Sequence, residues 1–436
     1  MAGQPQWNDA GSSHSAFIVK EEIVASIETR ATAASVFGKL NAGRGVDVTE
    51  IVAGGGKTTI GSGKESPIHE KTLDQNNTAL FTMEEELAGM PTYGDAAVKP
   101  GDYPTYLHGE IQARTVSSPA FPIQGFEVRD NVKRVIPLES HVERRKVSIS
   151  HWMEREYDLD GIRALLYGLS RGLYLNYDGG KGTQLFGTTD ATRWRAPLNT
   201  YVTGQTGFTP QNVGDAAAHN NALGALLAGL SPGTANQKFS WETHKAISAL
   251  IDKIRLRPVK LNGRQFRAVV LTDMRNIYSL REDPKLVNTW IHATPRDDKN
   301  LALFSRDAII LDNVFYLPVE MLSWFRPTVN RSTGEIVRFG CGFDLDPRTP
   351  TFANDSDITM SIVLGAGALR RGRRKFSTHF TKKEGDHGKG LEIAVHWDDG
   401  WMRNEWFSKD SGAARAYCDT SFVVFNADDG SYGIKI

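Results

Sequence analysis

Residues 266–275 read Phe-Arg-Ala-Val-Val-Leu-Thr-Asp-Met-Arg, and they are the most informative stretch of the chain. The apolar run Val269–Leu271 contains no polar residue, which is typical of a strand that is buried on both faces of a sheet. Thr272 or Asp273 can then cap a helix that stops before Pro284. The stretch therefore predicts a strand followed directly by a helix, inside a compact unit that contains both α and β structure.

Further β-type runs lie C-terminal to this stretch. Ala308–Leu311 and Val314–Leu317 are separated by Asp312 and Asn313, so they form either two strands joined by a tight turn or one long strand. The other runs are alternating or continuously apolar, and they are Ile358–Leu364, Leu391–His396, Phe422–Phe425 and residues 432–436. Upstream, Ser240 is expected to cap another helix. These patterns predict a mixed unit followed by mostly β structure.

The longest helical pattern lies further upstream, at residues 152–178. Its apolar residues recur every three or four positions, and they are Leu159, Ile162, Leu165, Leu166, Leu169 and Leu173. Asp158 could cap this helix. Glycine costs about 1 kcal/mol relative to alanine in a helix. The three glycines at 161, 168 and 172 therefore require support from packing, and a break in the helix is the alternative.

Residues 51–130 have a different character, with clustered glycines, six prolines and no pattern of a long helix. Short β-type runs such as Thr78–Met83 and Ile111–Val116 lie between the turn residues. So many residues without a core helix favour an extended β excursion. A disordered loop is the alternative, although the aromatic and β-branched content disfavours it. Residues 1–15 are polar and are expected to form an arm.

The composition of the chain argues against several classes of function. The chain has 436 residues, with 51 basic and 51 acidic side chains, so its net charge is zero. A protein that binds nucleic acid by neutralising phosphates normally has a positive excess. Two cysteines, Cys341 and Cys418, are too few for a disulfide framework or a cysteine zinc site. No apolar stretch approaches the roughly 20 residues that a membrane span needs.

Motifs that could carry chemistry fail on spacing or context. Gly168–Gly172 matches the G-x-S-x-G pattern of serine hydrolases, but Ser170 lies within the helical pattern, whereas that pattern needs a strand before it and a helix after it. Gly365–Gly367 follows a β-type run as a dinucleotide fingerprint would, but Arg370 occupies the position of the third glycine. A tight strand-to-helix turn accounts for those glycines. We therefore predict no catalytic residue, no cofactor and no metal ligand.

One dense basic cluster occurs in the sequence, and its members are Arg370, Arg371, Arg373, Arg374 and Lys375. Charge density of this kind is compatible with DNA contact. Contact with acidic residues of a partner, or simple solvation, is at least as compatible, because the like charges repel each other.

Four stretches resemble the major capsid proteins of tailed bacteriophages, the Hong Kong 97-type family. They are residues 266–275, Leu303–Val314, Ile362–Leu369 and Ala413–Phe425. The order of features is also similar: an arm, a long β excursion rich in Pro and Gly, an amphipathic helix, a compact α/β unit and terminal strands. The resemblance covers about residues 126–436. Residues 16–125 are similar only in general character and not in particular motifs.

The resemblance implies an α+β chain with the Hong Kong 97-type capsid fold. In that family the parts are an N-terminal arm, an extended β loop, a peripheral domain with a long spine helix, and an axial α/β domain. On this sequence they would occupy residues 1–50, 51–130, 131–239 (with the helix at about 152–178) and 240–380. Residues 381–436 would form strands that return to the last two domains.

The resemblance also implies a structural function and not an enzyme. Such a subunit assembles with itself, through hexamers and pentamers, into the icosahedral head shell that encloses double-stranded DNA without sequence-specific binding. It would be assembled in the host cytoplasm with a separate scaffolding protein, a portal and an optional decoration protein, and no membrane. An encapsulin-type nanocompartment shell subunit, which has the same fold, is one alternative. A soluble serine hydrolase that uses Ser170 is the other.

An extended arm and loop would lie across neighbouring subunits, because stable interfaces usually bury more area than a compact subunit offers on every side. The predicted intersubunit contacts are therefore aromatic residues of the β excursion and arginines of the basic cluster. They are Phe81, Tyr93, Tyr103, Tyr106, Phe121, Arg370, Arg371, Arg373 and Arg374.

Overall fold

A computed structural model of the chain describes twenty segments. They are residues 30–31, 35–40, 66–73, 78–84, 106–118, 121–123, 126–129, 132–135, 138–166, 172–175, 183–186, 238–253, 256–261, 264–286, 309–330, 335–339, 358–373, 377–382, 391–403 and 420–427. The chain divides into two compact units. Unit 1 comprises Met1–Ala31, Glu70–Met153 and Arg371–Met402, and unit 2 comprises Thr32–His69, Glu154–Arg370 and Arg403–Ile436.

Helices and strands occur in mixed order along the described segments. The α-helices are α1 (Val36–Leu40), α2 (Leu138–Leu166), α3 (Trp241–Lys253) and α4 (Met274–Glu282), and a 3-10 helix spans Glu320–Phe325. The strands in the first half of the chain are β1 (Ile68–Thr72), β2 (Thr78–Glu84), β3 (Tyr106–Gln112), β4 (Arg114–Ser117), β5 (Phe121–Ile123), β6 (Phe126–Arg129), β7 (Val132–Val135), β8 (Gly172–Leu175) and β9 (Thr183–Phe186). Those in the second half are β10 (Val259–Leu261), β11 (Arg264–Phe266), β12 (Ala268–Thr272), β13 (Ile309–Leu311), β14 (Val314–Pro318), β15 (Pro327–Asn330), β16 (Glu335–Phe339), β17 (Ile358–Leu364), β18 (Leu369–Arg373), β19 (Ser377–Lys382), β20 (Leu391–Arg403) and β21 (Ser421–Ala427).

A seven-stranded mixed sheet forms the centre of unit 2, with strand order β13-β14-β12-β17-β21-β8-β9. Strand β12 pairs in parallel with β14 and antiparallel with β17, and all five of its residues are buried. This confirms the predicted buried strand at Val269–Leu271. Its side chains pack with those of helices α3 and α4, including Ile247, Ile251 and Ile277, in one apolar core.

The connections around this sheet follow local sequence chemistry. Asp273 caps helix α4 by accepting a hydrogen bond from the backbone N–H of Arg275 at 3.1 Å, so of the two predicted caps it is Asp273 and not Thr272. Asp312 and Asn313 have φ angles of 47° and 60°, which asparagine and aspartate tolerate better than most residues. Strands β13 and β14 are therefore joined by a tight turn, and the alternative of one long strand is wrong.

Most residues of a six-stranded sheet lie in unit 1. Its order is β1-β18-β20-β19, and β4 and β5 also pair with the thirteen-residue strand β20. A small apolar cluster of Leu73, Ala79 and Ile111 packs at the base of a separate two-stranded ribbon, β2–β3. The ribbon has seven residue pairs, from Thr78–Gln112 at its base to Glu84–Tyr106 at its far end. The predicted β-type runs in the excursion are therefore strands.

The long helix differs from its predicted bounds. Helix α2 begins at Leu138 and ends at Leu166, whereas residues 152–178 were predicted. Gly172–Leu175 is instead strand β8, which pairs in parallel with β21. Backbone pairing in the sheet thus prevails over the helical spacing of Leu169 and Leu173, and the glycines at 168 and 172 lower the cost of ending the helix.

Two smaller predictions are also corrected. Asp158 lies inside α2 and not at its start, and its carboxylate accepts hydrogen bonds from the backbone N–H groups of Val36 and Phe37 at 3.0 and 3.1 Å. It therefore caps helix α1. The turn at Gly365–Gly367 leads into strand β18 and not into a helix, and Gly367 has a φ of 70°. A dinucleotide fingerprint needs a helix at that place.

Candidate functional site

The first buried polar group of unit 2 lies where strand β12 meets helix α4. Asp273 accepts hydrogen bonds from Nε and from a terminal nitrogen of Arg326, at 2.8 and 2.5 Å. Both side chains are about 3–4% exposed. Removing these two charges from water is energetically costly. The hydrogen bond from the Arg275 N–H and the two hydrogen bonds from Arg326 offset this cost.

Hydroxyl and amide groups extend this polar group into the sheet. The Thr272 and Ser361 hydroxyls are 2.7 Å apart on neighbouring strands. The side-chain amide of Asn276 donates to both, at 3.2 and 3.1 Å. All three residues are buried. Their donors and acceptors are directed at each other, so the arrangement fixes the start of helix α4 on the sheet.

A second polar group of unit 2 has the residue types of a catalytic relay. His244 on helix α3 places Nδ1 2.8 Å from the Tyr316 hydroxyl and Nε2 3.0 Å from a carboxylate oxygen of Asp312. Burial lowers the pKa of His244 below its usual value, although the hydrogen bond to Asp312 acts in the opposite direction. Burial also raises the pKa of Tyr316. The histidine is therefore neutral at pH 7 and the tyrosine is protonated, as in a structural hydrogen-bond chain.

Unit 1 contains a third polar group on neighbouring strands. Arg371 donates from Nε and from a terminal nitrogen to the two carboxylate oxygens of Asp399, at 3.0 and 2.8 Å. The guanidinium carbon lies 4.7 Å from the centre of the Trp401 ring. The Trp401 indole N–H donates to the same carboxylate at 3.1 Å. Two guanidinium nitrogens of Arg371 are thus held by one carboxylate inside the subunit, in the paired geometry that arginine favours.

The basic cluster at 370–375 is therefore not a solvent-exposed patch over the residues described. Arg370 and Arg371 are 3% and 5% exposed. Arg373 forms an ion pair with Glu70 of strand β1. Burial lowers the pKa of Arg370 to about 10, which still leaves it charged at pH 7. Arg374 and Lys375 lie outside the described residues, and intersubunit contact by this cluster stays a prediction.

The aromatic candidates lie along the ribbon and the adjoining strand. Phe81 is in β2, opposite Gly109, and Tyr106 begins β3, opposite Glu84. Phe121 begins β5, where it pairs with Ile393. Tyr93 and Tyr103 lie outside the described residues. The structure thus brings Phe81 and Tyr106 into one ribbon, and their predicted contacts with neighbouring subunits stay predictions.

Ser170 has the wrong flanking elements for a hydrolase nucleophile. Helix α2 ends at Leu166 and strand β8 begins at Gly172, so a helix precedes the motif and a strand follows it. The nucleophile elbow requires the reverse order. Ser170 itself lies outside the described residues, as do Cys341 and Cys418.

The sequence patterns did not predict two apolar residues that are exposed. Tyr278 on helix α4 is 42% exposed, and Val147 on helix α2 is 37% exposed. The sequence could have predicted the exposure of Tyr278, because Ile277 and Leu280 lie on the buried side of α4 and Tyr278 is on the other side.

Within the described segments, no three His, Cys, Asp or Glu side chains are grouped so that they could hold a metal ion. No helix there is long and apolar enough to cross a membrane.

Comparison with known proteins identifies the fold. No family model and no curated protein matches the chain. Among solved structures, it is similar to the capsid asymmetric unit of cyanophage Pam1, with a TM-score of 0.51, 13% identity, and coverage of 84% of this chain and 90% of that one. It is also similar to the head structure of Helicobacter pylori bacteriophage KHP40, with a TM-score of 0.50, 11% identity, and coverage of 84% and 88%. The chain therefore has the α+β fold of phage capsid proteins, as its resemblance to the Hong Kong 97-type family implied.

Proposed function

We propose that this protein is a major capsid protein, which assembles into the icosahedral head shell around double-stranded DNA. The shared fold is the observation that carries this proposal, because the match spans 84% of the chain and 90% of the cyanophage capsid chain. The buried polar groups support it. Their donors and acceptors bond to one another inside the subunit, so these described groups stabilise structure.

The β2–β3 ribbon also supports an assembly role. It is a sheet of only two strands, β2 and β3. An isolated two-stranded hairpin is marginally stable in water, so the ribbon needs a further surface to pack against. A neighbouring subunit in a shell provides such a surface.

The family's parts can be assigned to the observed elements. Within the proposal, α2 is the spine helix, the ribbon is the core of the extended loop, and the seven-stranded sheet is the centre of the axial domain. The six-stranded sheet then belongs to the peripheral domain. Strands β18 and β19 pair within that sheet, so the proposal assigns residues 369–380 to the peripheral domain and not to the axial segment expected from the sequence.

The proposal includes partners and a location. The subunit forms hexamers and pentamers with copies of itself, through contacts that include Phe81, Tyr106 and Phe121. A scaffolding protein encoded separately directs assembly, a portal occupies one vertex, and a decoration protein is optional. The product is the virion head, assembled in the host cytoplasm without a membrane.

Negative-stain electron microscopy of the overexpressed protein, with and without its neighbouring genes, tests the proposal. We expect closed shells, tubes or rings of five or six subunits. A monodisperse monomer under every condition, including co-expression with a scaffolding protein, would refute a capsid function.

The contents of the shells separate the two functions that share the fold. Shells that fill with double-stranded DNA when terminase and portal are present indicate a phage head. Shells that co-purify with an enzyme, and that exclude DNA, indicate an encapsulin-type nanocompartment.

A further inference from the structure

A second basic segment of the sequence lies in unit 2, outside the 370–375 cluster. Residues 252–267 carry six positive side chains and one negative one, for a net charge of +5, in a chain whose total charge is zero. Of the positive residues, Arg257 and Lys260 are exposed and Arg267 is half-buried, whereas the side chains of Lys253, Arg255 and Arg264 lie outside the described part of the structure. Strands β10 and β11 form a hairpin within this segment. We call the described residues 256–261 and 264–267 the basic hairpin.

The basic hairpin is firmly seated on unit 2. Leu256, Val259 and Phe266 are buried, and the rings of Phe266 and Phe315 lie 5.4 Å apart. The backbone carbonyl of Arg257 accepts a hydrogen bond from the Ala366 N–H at 3.0 Å. The charges of the hairpin are therefore presented from a fixed backbone, which reduces the entropy lost when a ligand binds.

The other face of the hairpin is polar. Lys260 and Gln265 are directly paired across the two strands, and both are exposed. Arg257 and Pro258 are exposed just before β10. Arg267 is half-buried, and its guanidinium forms an ion pair with Asp252 and donates to the Ser248 carbonyl at 3.3 Å. Basic and amide groups thus line one face of the hairpin.

This composition favours a phosphate backbone over a protein as the occupant. The cores of protein interfaces are rich in aromatic and other apolar side chains and poor in lysine. Described residues exposed on the hairpin include no aromatic or large aliphatic side chain. Contacts with DNA phosphates, in contrast, come mainly from Arg, Lys and uncharged polar side chains such as Gln.

We infer that the basic hairpin binds the phosphodiester backbone of double-stranded DNA, without reading its sequence. The inference rests on the proposed function, and it includes a position for the basic hairpin on the inner face of the shell, where it meets the genome. Two or three phosphate contacts from each subunit give weak individual binding that salt disrupts. Repeated over many copies, such contacts order the outer layer of DNA and still permit its release.

Fluorescence anisotropy of a short random-sequence DNA duplex, titrated with the full-length subunit at several salt concentrations, tests this inference. The variant is Arg257→Gln/Lys260→Gln. The matched control is Lys245→Gln/Lys285→Gln, which removes two lysines of unit 2 that are 58% and 60% exposed. Thermal melting of all three proteins checks that they are equally folded.

The variant should bind roughly tenfold or more weakly at low salt, and its log–log slope against salt should be shallower by about 1.8, which corresponds to two lost phosphate contacts. The control should keep the wild-type slope. Equal losses in variant and control, or no change in the variant, would overturn the inference. Preferential binding of a polyglutamate peptide over DNA would also overturn it, in favour of an acidic protein partner.

Electron microscopy of the same variants keeps the two proposals distinguishable. If shells form normally and the variant binds DNA as tightly as wild type, the inference that the hairpin binds DNA is wrong and the capsid function stands. If the variant shows a shallower salt dependence of DNA binding but none of the proteins assembles, the capsid function is wrong and the hairpin still binds DNA.

Discussion

The seven-stranded sheet of unit 2 and the β2–β3 ribbon of unit 1 are both β structure, but their stability has different sources. Strand β12 has sheet partners on both sides and is buried at every residue. The ribbon has only two strands. An isolated two-stranded hairpin is marginally stable in water, so the proposed capsid function requires a surface of a neighbouring subunit against the ribbon, whereas β12 finds its sheet partners within the subunit.

Removing the Asp273 carboxylate should severely destabilise unit 2. Asp273→Ala leaves the buried Arg326 guanidinium without its acceptor and removes the cap of helix α4, which should cost about 3–5 kcal/mol. The Asp273→Asn variant keeps a capping oxygen and should lose less. Chemical denaturation of both variants measures the free energy of unfolding. A loss below about 1 kcal/mol in Asp273→Ala would show that this buried pair does not hold the sheet and helix together.

A methyl group at Gly372 should disturb the base of the ribbon more than the sheet of unit 2. A Cβ there would lie 2.8 Å from Leu73 Cδ2 and 3.0 Å from Ala79 Cβ, so both must shift, at a cost of about 1–3 kcal/mol. We expect Gly372→Ala to reduce shell formation, measured by sedimentation, while the subunit stays folded. Normal yields of shells would indicate that the seating of the ribbon base does not limit assembly.

Loss of the Asp158 carboxylate should loosen helix α1. Asp158→Ala removes the acceptor for two backbone N–H groups, and caps of this kind contribute about 0.5–2 kcal/mol. Faster limited proteolysis near residues 35–40 should accompany the loss, with Asp160→Ala as the control on the same helix. Unchanged cleavage would mean that the packing of Phe37 against Gly161 is sufficient to hold the segment.

The smallest expected effect concerns pH. Because burial lowers the pKa of His244 in the folded protein, the unfolded chain binds the proton more strongly. The stabilisation is then complete above the usual pKa of 6.5 and decreases as the pH falls below it. The neighbouring charged and titratable groups are Asp312, Tyr316, Arg267 and Lys245, and burial dominates over all of them. Thermal melting from pH 7 to pH 5 should show a shallower decline for His244→Gln than for wild type, and equal declines would contradict this.

Features set by local sequence were predictable. The buried strand at Val269–Leu271, the Asp273 cap and the β-type runs of the excursion were all read correctly, because each follows from neighbouring residues. Features set by distant residues were not. Helix α2 ends early because β8 pairs with β21, some 250 residues away, and Asp158 caps a helix 121 residues upstream. No local pattern contains that information.

The candidate sites show the same limit. The basic cluster at 370–375 was conspicuous in the sequence, yet Asp399 and Trp401 enclose Arg371 only after β18 and β20 come together. The segment 252–267 has six basic residues in sixteen positions, a lower charge density than residues 370–375, and only the structure shows that Arg257 and Lys260 are exposed. Sequence reveals where charge accumulates, but burial decides whether a partner can reach it.

A trimmed ribbon is the most direct test of whether the ribbon joins subunits. A deletion of the whole of residues 60–115 would also remove β1, the first half of β4 and core residues such as Ile68. A better variant replaces residues 83–107 with a short Gly-Ser linker and keeps the base of the ribbon. Electron microscopy and thermal melting of this variant should show a subunit with near-wild-type stability that forms no shells. Intact shells from the trimmed protein would show that the ribbon is not the element that joins subunits.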